Sequence, residues 1–292
     1  MLGLAILPFV AIGVLFAVFD SDSGDDDYED VPETPEEPET PEEPELPEPE
    51  VVNGTAGSDV IDAMENQIVN GFDGNDALSA SDASNGAVLN AGDGDDSLNL
   101  AGVNVTGNGG EGDDLLSASF ANGATLNGEA GDDVLNAWRD SSGVVIDGGE
   151  GDDTITDEAF LQTPVAGAVP DMLTGGEGAD SFFINLVNQA VFEGEEELVE
   201  GDLGILSQIT DFNPDEDMLM IDINNADEAG LNDPVRTLDS FTLVEADNGS
   251  YTDLQLVISS VGTTGQLTAT IRLEGATGLT SDDIAFADRA IV

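Results

Sequence analysis

Seven aspartates carry the chemistry this chain can do. Asp59, Asp76, Asp96, Asp114, Asp133, Asp153 and Asp180 each stand sixth in a nine-residue unit, as in GGEGDDLLS from Gly109 and GGEGDDTIT from Gly148. The fourth residue of every unit is glycine: Gly57, Gly74, Gly94, Gly112, Gly131, Gly151 and Gly178. The eighth is always apolar: Ile61, Leu78, Leu98, Leu116, Leu135, Ile155 and Phe182. Glycine permits positive φ and close backbone approach, so loop carbonyls can point inward. A carboxylate beside them adds a hard oxygen. Together these suit calcium, which accepts roughly six to eight oxygen ligands in flexible geometry.

Composition points the same way. The 292 residues include 63 acidic and 4 basic side chains, for a formal charge of -59. Phosphate binding needs Lys and Arg, so nucleic acid is excluded as a partner. There is no His and no Cys. Zinc, copper and iron–sulfur sites therefore lack their thiolate and imidazole ligands, leaving hard, oxygen-liganded cations, and no Ser–His or Cys–His nucleophile can form. Such charge repels itself and opposes compact structure unless it is neutralised. Part of it also suits solvation in a high-salt habitat.

The spacing of the aspartates defines the elements that hold them. Successive intervals are 17, 20, 18, 19, 20 and 27 residues. A second apolar run precedes each loop after the first: Ile68-Val69, Val88-Leu89, Val103 with Val105, Leu126, Val145-Ile146 and Met172-Leu173. Each period of about 18 residues thus holds two short strands and two turns, of which one is the Asp type. This predicts one winding of a parallel β-helix per period, with all Asp turns stacked along one edge. Seven stacked loops leave six inter-loop sites (7 − 1 = 6). The long interval before Asp180 has two readings. An insertion in the plain turn keeps Asp180 on the common edge, whereas three half-windings put it on the opposite one. The insertion is preferred, because Phe160 to Pro170 looks like one and Met172-Leu173 keeps its place before the loop. The apolar core is narrow and Ala-rich, so metal binding is expected to be coupled to folding. A glycine- and Asp-rich solenoid without metal is the alternative, opposed by the repulsion of stacked, unneutralised carboxylates.

These units resemble the G-G-x-G-x-D-x-U-x nonapeptide of RTX (hemolysin-type) proteins. The resemblance implies a β-roll in which successive loops sandwich calcium, with the seven aspartates and the carbonyls of the seven fourth-position glycines as metal ligands. Thr55, Phe72 and Glu129 depart from the pattern at the second position, and Ala91 at the first. Family rolls usually carry Asp turns on both edges, and here one edge is degenerate. The segment QITDFNPDEDMLMIDI from Gln208 resembles the one that follows the roll in secreted RTX proteins. The stretch IRLEGATGLTSDDIAFADRAIV resembles their C-terminal end, which implies type I secretion machinery as a partner.

The whole chain reads as all-β: a parallel β-roll or β-helix of Gly–Asp repeats over residues 51–184, capped by a C-terminal antiparallel β region over 185–292. Asp247-Asn248-Gly249-Ser250 marks a hairpin within the cap. Residues 1–19 carry no charged side chain and predict a transmembrane-like hydrophobic helix, an anchor in the membrane rather than a cleaved signal. Residues 20–50 form an acidic, Pro-rich linker with TPEEPE repeated in tandem. In polyproline II form it would extend on the order of 90 Å. Asp211, Asn213 and Asp215 have EF-hand spacing, but Glu216 stands where the turn glycine belongs and Asp222 where the bidentate Glu belongs. They read as a structural turn with a chance carboxylate cluster. The functional expectation is an exported, non-enzymatic calcium-binding protein of the cell surface or extracellular space. The alternative is a secreted hydrolase with its active site in the C-terminal region.

Overall fold

The computed structural model describes residues 48–138, 141–161, 169–187, 201–224, 236–260 and 266–287. Strands follow one another at short intervals, beginning with β1 (Val51–Asn53), β2 (Val60–Ala63), β3 (Ile68–Asp73), β4 (Ala77–Ala80), β5 (Val88–Asp93) and β6 (Ser97–Val103). Next come β7 (Thr106–Glu111), β8 (Leu115–Asn122), β9 (Thr125–Ala130), β10 (Val134–Trp138), β11 (Val145–Glu150) and β12 (Thr154–Phe160). The series ends with β13 (Asp171–Glu177), β14 (Ser181–Val187), β15 (Gly201–Ile209), β16 (Met218–Asn224), β17 (Arg236–Glu245), β18 (Tyr251–Ser260), β19 (Gln266–Glu274) and β20 (Ile284–Phe286).

Odd and even strands separate into two sheets. One runs β1-β3-β5-β7-β9-β11-β13-β15-β19-β18-β17, the other β2-β4-β6-β8-β10-β12-β14-β16-β20. Neighbours pair in parallel from β1 through β15 and from β2 through β20, so each winding contributes one strand to each sheet. This is the expected parallel roll. Side chains alternate in and out along each strand, as period two requires. The inward row of the even sheet is the set of eighth-position residues in register, from Leu78, Leu98 and Leu116 through Leu135 and Ile155 to Phe182, and all are buried. The facing row is Val69, Leu89, Gly107, Leu126, Ile146 and Leu173. Gly107 belongs there because Leu100 reaches across: a Cβ on Gly107 would meet its methyls at 3.0 and 3.1 Å.

The winding does not stop at residue 184. β13 pairs with β15 and β14 with β16, both in parallel, and β19 and β20 extend the two sheets in the same sense. Among the described residues antiparallel pairing is confined to β17, β18 and β19. The hairpin signal is realised between β17 and β18, where Gly249 N donates to the Ala246 carbonyl (2.8 Å) and Ser250 N to Asn248 Oδ1 (3.1 Å). Arg272 braces this hairpin through Asp253 (2.8 Å) and lies 3.8 Å over the Tyr251 ring. The expected hydrophobic helix over 1–19, and all but residues 48–50 of the expected linker, lie outside the described residues. Among the described residues no helix is long and apolar enough to cross a membrane.

Candidate metal centre

Each Gly-x-Asp triplet forms the turn from an odd strand into the next even strand, so all of these turns lie on one edge of the roll. From Asp76 onward the side chain of each aspartate reaches back one winding. Its Oδ1 accepts the backbone N–H of the preceding turn's aspartate: Asp76 from Asp59 (2.7 Å), Asp96 from Asp76 (2.6 Å), Asp114 from Asp96 (2.7 Å) and Asp133 from Asp114 (2.7 Å). Asp153 accepts from Asp133 (2.8 Å) and Asp180 from Asp153 (2.9 Å). The last bond settles the 27-residue interval: Asp180 stands on the common edge, and the extra residues are an insertion in the plain turn.

The second oxygen of these carboxylates has a different situation. Oδ2 of Asp76, Asp96, Asp114, Asp133 and Asp153 is buried without a hydrogen-bond partner. A buried acceptor left bare costs about 1–3 kcal/mol, and more when charged. Four of the five, all but Asp96, border a space kept open by the first glycine of the unit. A Cβ on Gly109 would meet Asp114 Oδ2 and, at 2.7 Å, the Gly128 carbonyl oxygen of the next winding. A Cβ on Gly71 would meet Asp76 Oδ2 and the Ala91 carbonyl at 2.5 Å, and one on Gly148 would meet Asp153 Oδ2 and the Gly175 carbonyl at 2.5 Å. Gly128 repeats this with Asp133 Oδ2 and the Gly148 carbonyl. Each cradle is thus walled by a carboxylate and a carbonyl from adjacent windings. At the third turn Ala91 carries the methyl that the glycines lack.

Burial pushes Asp114, Asp133 and Asp153 up from their ordinary 3.8, and nearby negative charges push further: Asp114 and Asp153 reach about 7 and Asp133 about 6. Asp96 and Asp180 are raised for the same first reason. The hydrogen bond from the preceding aspartate's N–H works against the shift in each case. Among the described residues no three carboxylates converge to hold a metal by side chains alone. A cation here would need the loop carbonyls as well. The bare oxygen, the open cradle and the all-oxygen donor set fit calcium on that condition.

The predicted glycines line the same edge. Gly74, Gly94, Gly112, Gly131, Gly151 and Gly178 stack so closely that a Cβ on any of them would collide with the backbone of the glycine one winding back. Gly57 begins the stack and has nothing within 4 Å of such a Cβ.

Three features escaped the sequence. The fifth-position residues form an outer, exposed row in which Asp113 N donates to Asp95 Oδ1 (3.3 Å), Asp132 N to Asp113 Oδ1 (3.0 Å) and Asp152 N to Asp132 Oδ1 (2.9 Å). The ladder has an eighth rung, Asp217, which accepts from Asp180 N (3.0 Å). Its turn is the segment with EF-hand spacing. The chance-cluster reading is corrected there: Asp211 accepts from Gly175 N (3.0 Å) and Gly176 N (2.9 Å), and so closes the last repeat loop. Finally, Asp157 and Asp171 face each other inside the roll, away from the ladder. Asp157 Oδ2 accepts from Ser207 Oγ, and Asp171 Oδ1 from Val144 N (2.8 Å). Burial raises both carboxyls, Asp171 further because the charge of Asp157 faces it.

No family model and no curated protein matches the chain. Among solved structures, it is similar to the R2 subunit of AlgE6, the mannuronan C5-epimerase of Azotobacter vinelandii, at 24% identity and a TM-score of 0.25, over 65% of this chain and 96% of that one. The R3 subunit of the same enzyme is 20% identical, with a TM-score of 0.25 over 86% of each chain. The extracellular lipase LipA of Serratia marcescens is 15% identical, with a TM-score of 0.21 over 81% of this chain and 40% of that one. The assignment of the fold rests on the strand pairing above.

Proposed function

We propose that this chain is an exported, non-enzymatic calcium-binding roll of the RTX type, in which the stacked Asp turns couple metal binding to folding. One observation carries the reading: a file of five buried carboxylate oxygens without a hydrogen-bond partner, four of them in cradles that glycines keep open toward a carbonyl of the next winding. Bound calcium would supply two positive charges and take oxygens at about 2.3–2.6 Å. The chain's own residues do the rest. Asp76, Asp96, Asp114, Asp133 and Asp153 tie adjacent windings through Oδ1 and present Oδ2 to the cradle. The first-position glycines leave room, and the fourth-position glycines let the loops stack in contact.

Without a cation, the carboxylates repel along the edge and the narrow core must hold the windings alone. That supports a chain that stays loose at low cytosolic calcium, passes a secretion channel, and folds outside, where sites of extracellular affinity, about 10⁻⁴–10⁻³ M, would fill. A structural, adhesive or matrix-like role fits a repetitive roll whose sequence has no His or Cys with which to build a Ser–His or Cys–His nucleophile.

Circular dichroism against calcium tests this. The chelated chain should gain β signal on calcium addition, and Gly109→Ala should need about tenfold more calcium or more, since its methyl displaces Asp114 Oδ2 or the Gly128 carbonyl. An unchanged spectrum in the wild-type chain would sink the proposal.

A further inference from the structure

The two ends of the ladder are built differently from its middle. At the first rung, Asp59 Oδ2 is not bare: Thr55 donates to it twice, from its backbone N (2.6 Å) and from Oγ1 (2.9 Å). The same hydroxyl lies 3.2 Å from the Gly57 carbonyl. The cradle itself has the walls of the interior ones, since a Cβ on Gly54 would meet Asp59 Oδ2 and the Gly71 carbonyl, both at 2.8 Å, so the two Thr55 donors are what set this rung apart. Thr55 occupies the second position of its unit, where the repeat calls for glycine. At the last rung, Asp217 Oδ2 accepts from Asn213 N at 2.7 Å, and the turn preceding it contains no glycine. Its Asp211 spends both oxygens on Gly175 N and Gly176 N. The cradle beside Asp180 changes accordingly. A Cβ on Gly175 would have only Asp180's own atoms as its three nearest neighbours, where the cradles at Gly71, Gly109, Gly128 and Gly148 meet a carbonyl of the next winding.

Resting on the calcium reading above, we infer that Thr55 and Asn213 are built-in stops: the ladder takes calcium at its interior rungs, Asp76 to Asp153, and at neither end. The physical reason is that an end rung has a neighbour on one side only. Half of its coordination sphere would have to come from water, while its carboxylate would still need a partner. A protein N–H or O–H satisfies that carboxylate without a cation, through a charge-assisted hydrogen bond. The chain's departures from the repeat thus have a purpose at these positions. They hold the first and last Asp turns in shape before any metal arrives, and they limit the number of ions to fewer than the number of aspartates in the file.

The test is the number of calcium ions bound per full-length chain, measured by equilibrium dialysis against calcium chloride with metal analysis, for wild type and three variants. Asp59→Asn and Asp217→Asn should bind as many ions as wild type, while Asp114→Asn should lose at least one. At position 59 the Asn amide oxygen still accepts from Thr55; at position 217 it accepts from Asn213 N while the bond from Asp180 N is given up, so far-UV circular dichroism first checks that this end turn retains its shape. Loss of an ion in either end variant overturns the stops. An unchanged count in Asp114→Asn overturns the interior assignment. A wild-type chain that binds no calcium overturns the calcium reading itself, and the stops with it.

Discussion

Phe72 and Glu129 hold φ of 83° and 77° at the second position of their turns, where Gly92, Gly110, Gly149 and Gly176 lie between 112° and 128°. Glu129 pairs in register with Gly110 on one side and Gly149 on the other, so the stack leaves it no freedom to relax. A left-handed conformation costs an L-residue about 1–2 kcal/mol, against about 0.5–1 kcal/mol of extra chain entropy lost by glycine. Glu129→Gly should therefore stabilise the roll by up to about 1 kcal/mol, and it also removes a charge from the crowded edge. Urea unfolding at fixed calcium checks this, and a lower midpoint would refute it. The substitutions that break the repeat thus divide by consequence. Thr55 satisfies a carboxylate, Ala91 narrows a cradle, and Phe72 and Glu129 carry strain.

At the scale of elements, the Asp edge and the plain edge of the roll differed in legibility. The Asp turns could be read because each fixes an inward apolar residue two places on, a relation that survives every change at the other positions. Asp217 obeys it too, with Leu219 buried two residues later, but its glycine-free turn disguised it. The plain edge has its own device, which went unread. Asn66, Gly86, Asn104, Gly123 and Gly143 all take φ between 54° and 68°, each two residues before a strand, and the N–H groups of the first four donate in file to a carbonyl of the next winding. The signal was present as Asn or Gly at a fixed distance from the strand, hidden by varied neighbours. The Asp157–Asp171 pair was illegible, because the insertion between β12 and β13 has a length that spacing alone cannot place. The Asp edge also predicts a pH response. Asp114, Asp133 and Asp153 ionise near 3.8 when unfolded but only at about 7, 6 and 7 in the metal-free fold. Between these values the native state binds more protons, so its stability falls as pH rises from about 4 to about 7. Calcium favours the ionised form, so protons should be released on binding in that window. Melts of the chelated chain should show a midpoint that declines across it, with Asp133→Asn flattening part of the decline; a rising midpoint would contradict the assignment.

For the molecule as a whole, the parallel winding joins each turn of the chain to the next through ladders that cross both sheets, with an Asp bond at one edge and an Asn file, Asn70 to Asn53 (2.8 Å), Asn90 to Asn70 (2.8 Å) and Asn108 to Asn90 (2.7 Å), on the odd sheet. All of these bonds point along the stacking direction. Tension applied between residues 48 and 287 would load the windings in series, and they would peel one at a time rather than shear together. Each released winding of 17 to 20 residues pays out about 55–70 Å of contour. Single-molecule pulling should therefore give a regular sawtooth of that step, with rupture forces higher in calcium than in chelator for the interior windings. A single cooperative rip would be inconsistent with the serial arrangement. On the calcium reading proposed above, a roll wound in this way would be an extensible tether whose resistance to pulling the surrounding ion concentration sets.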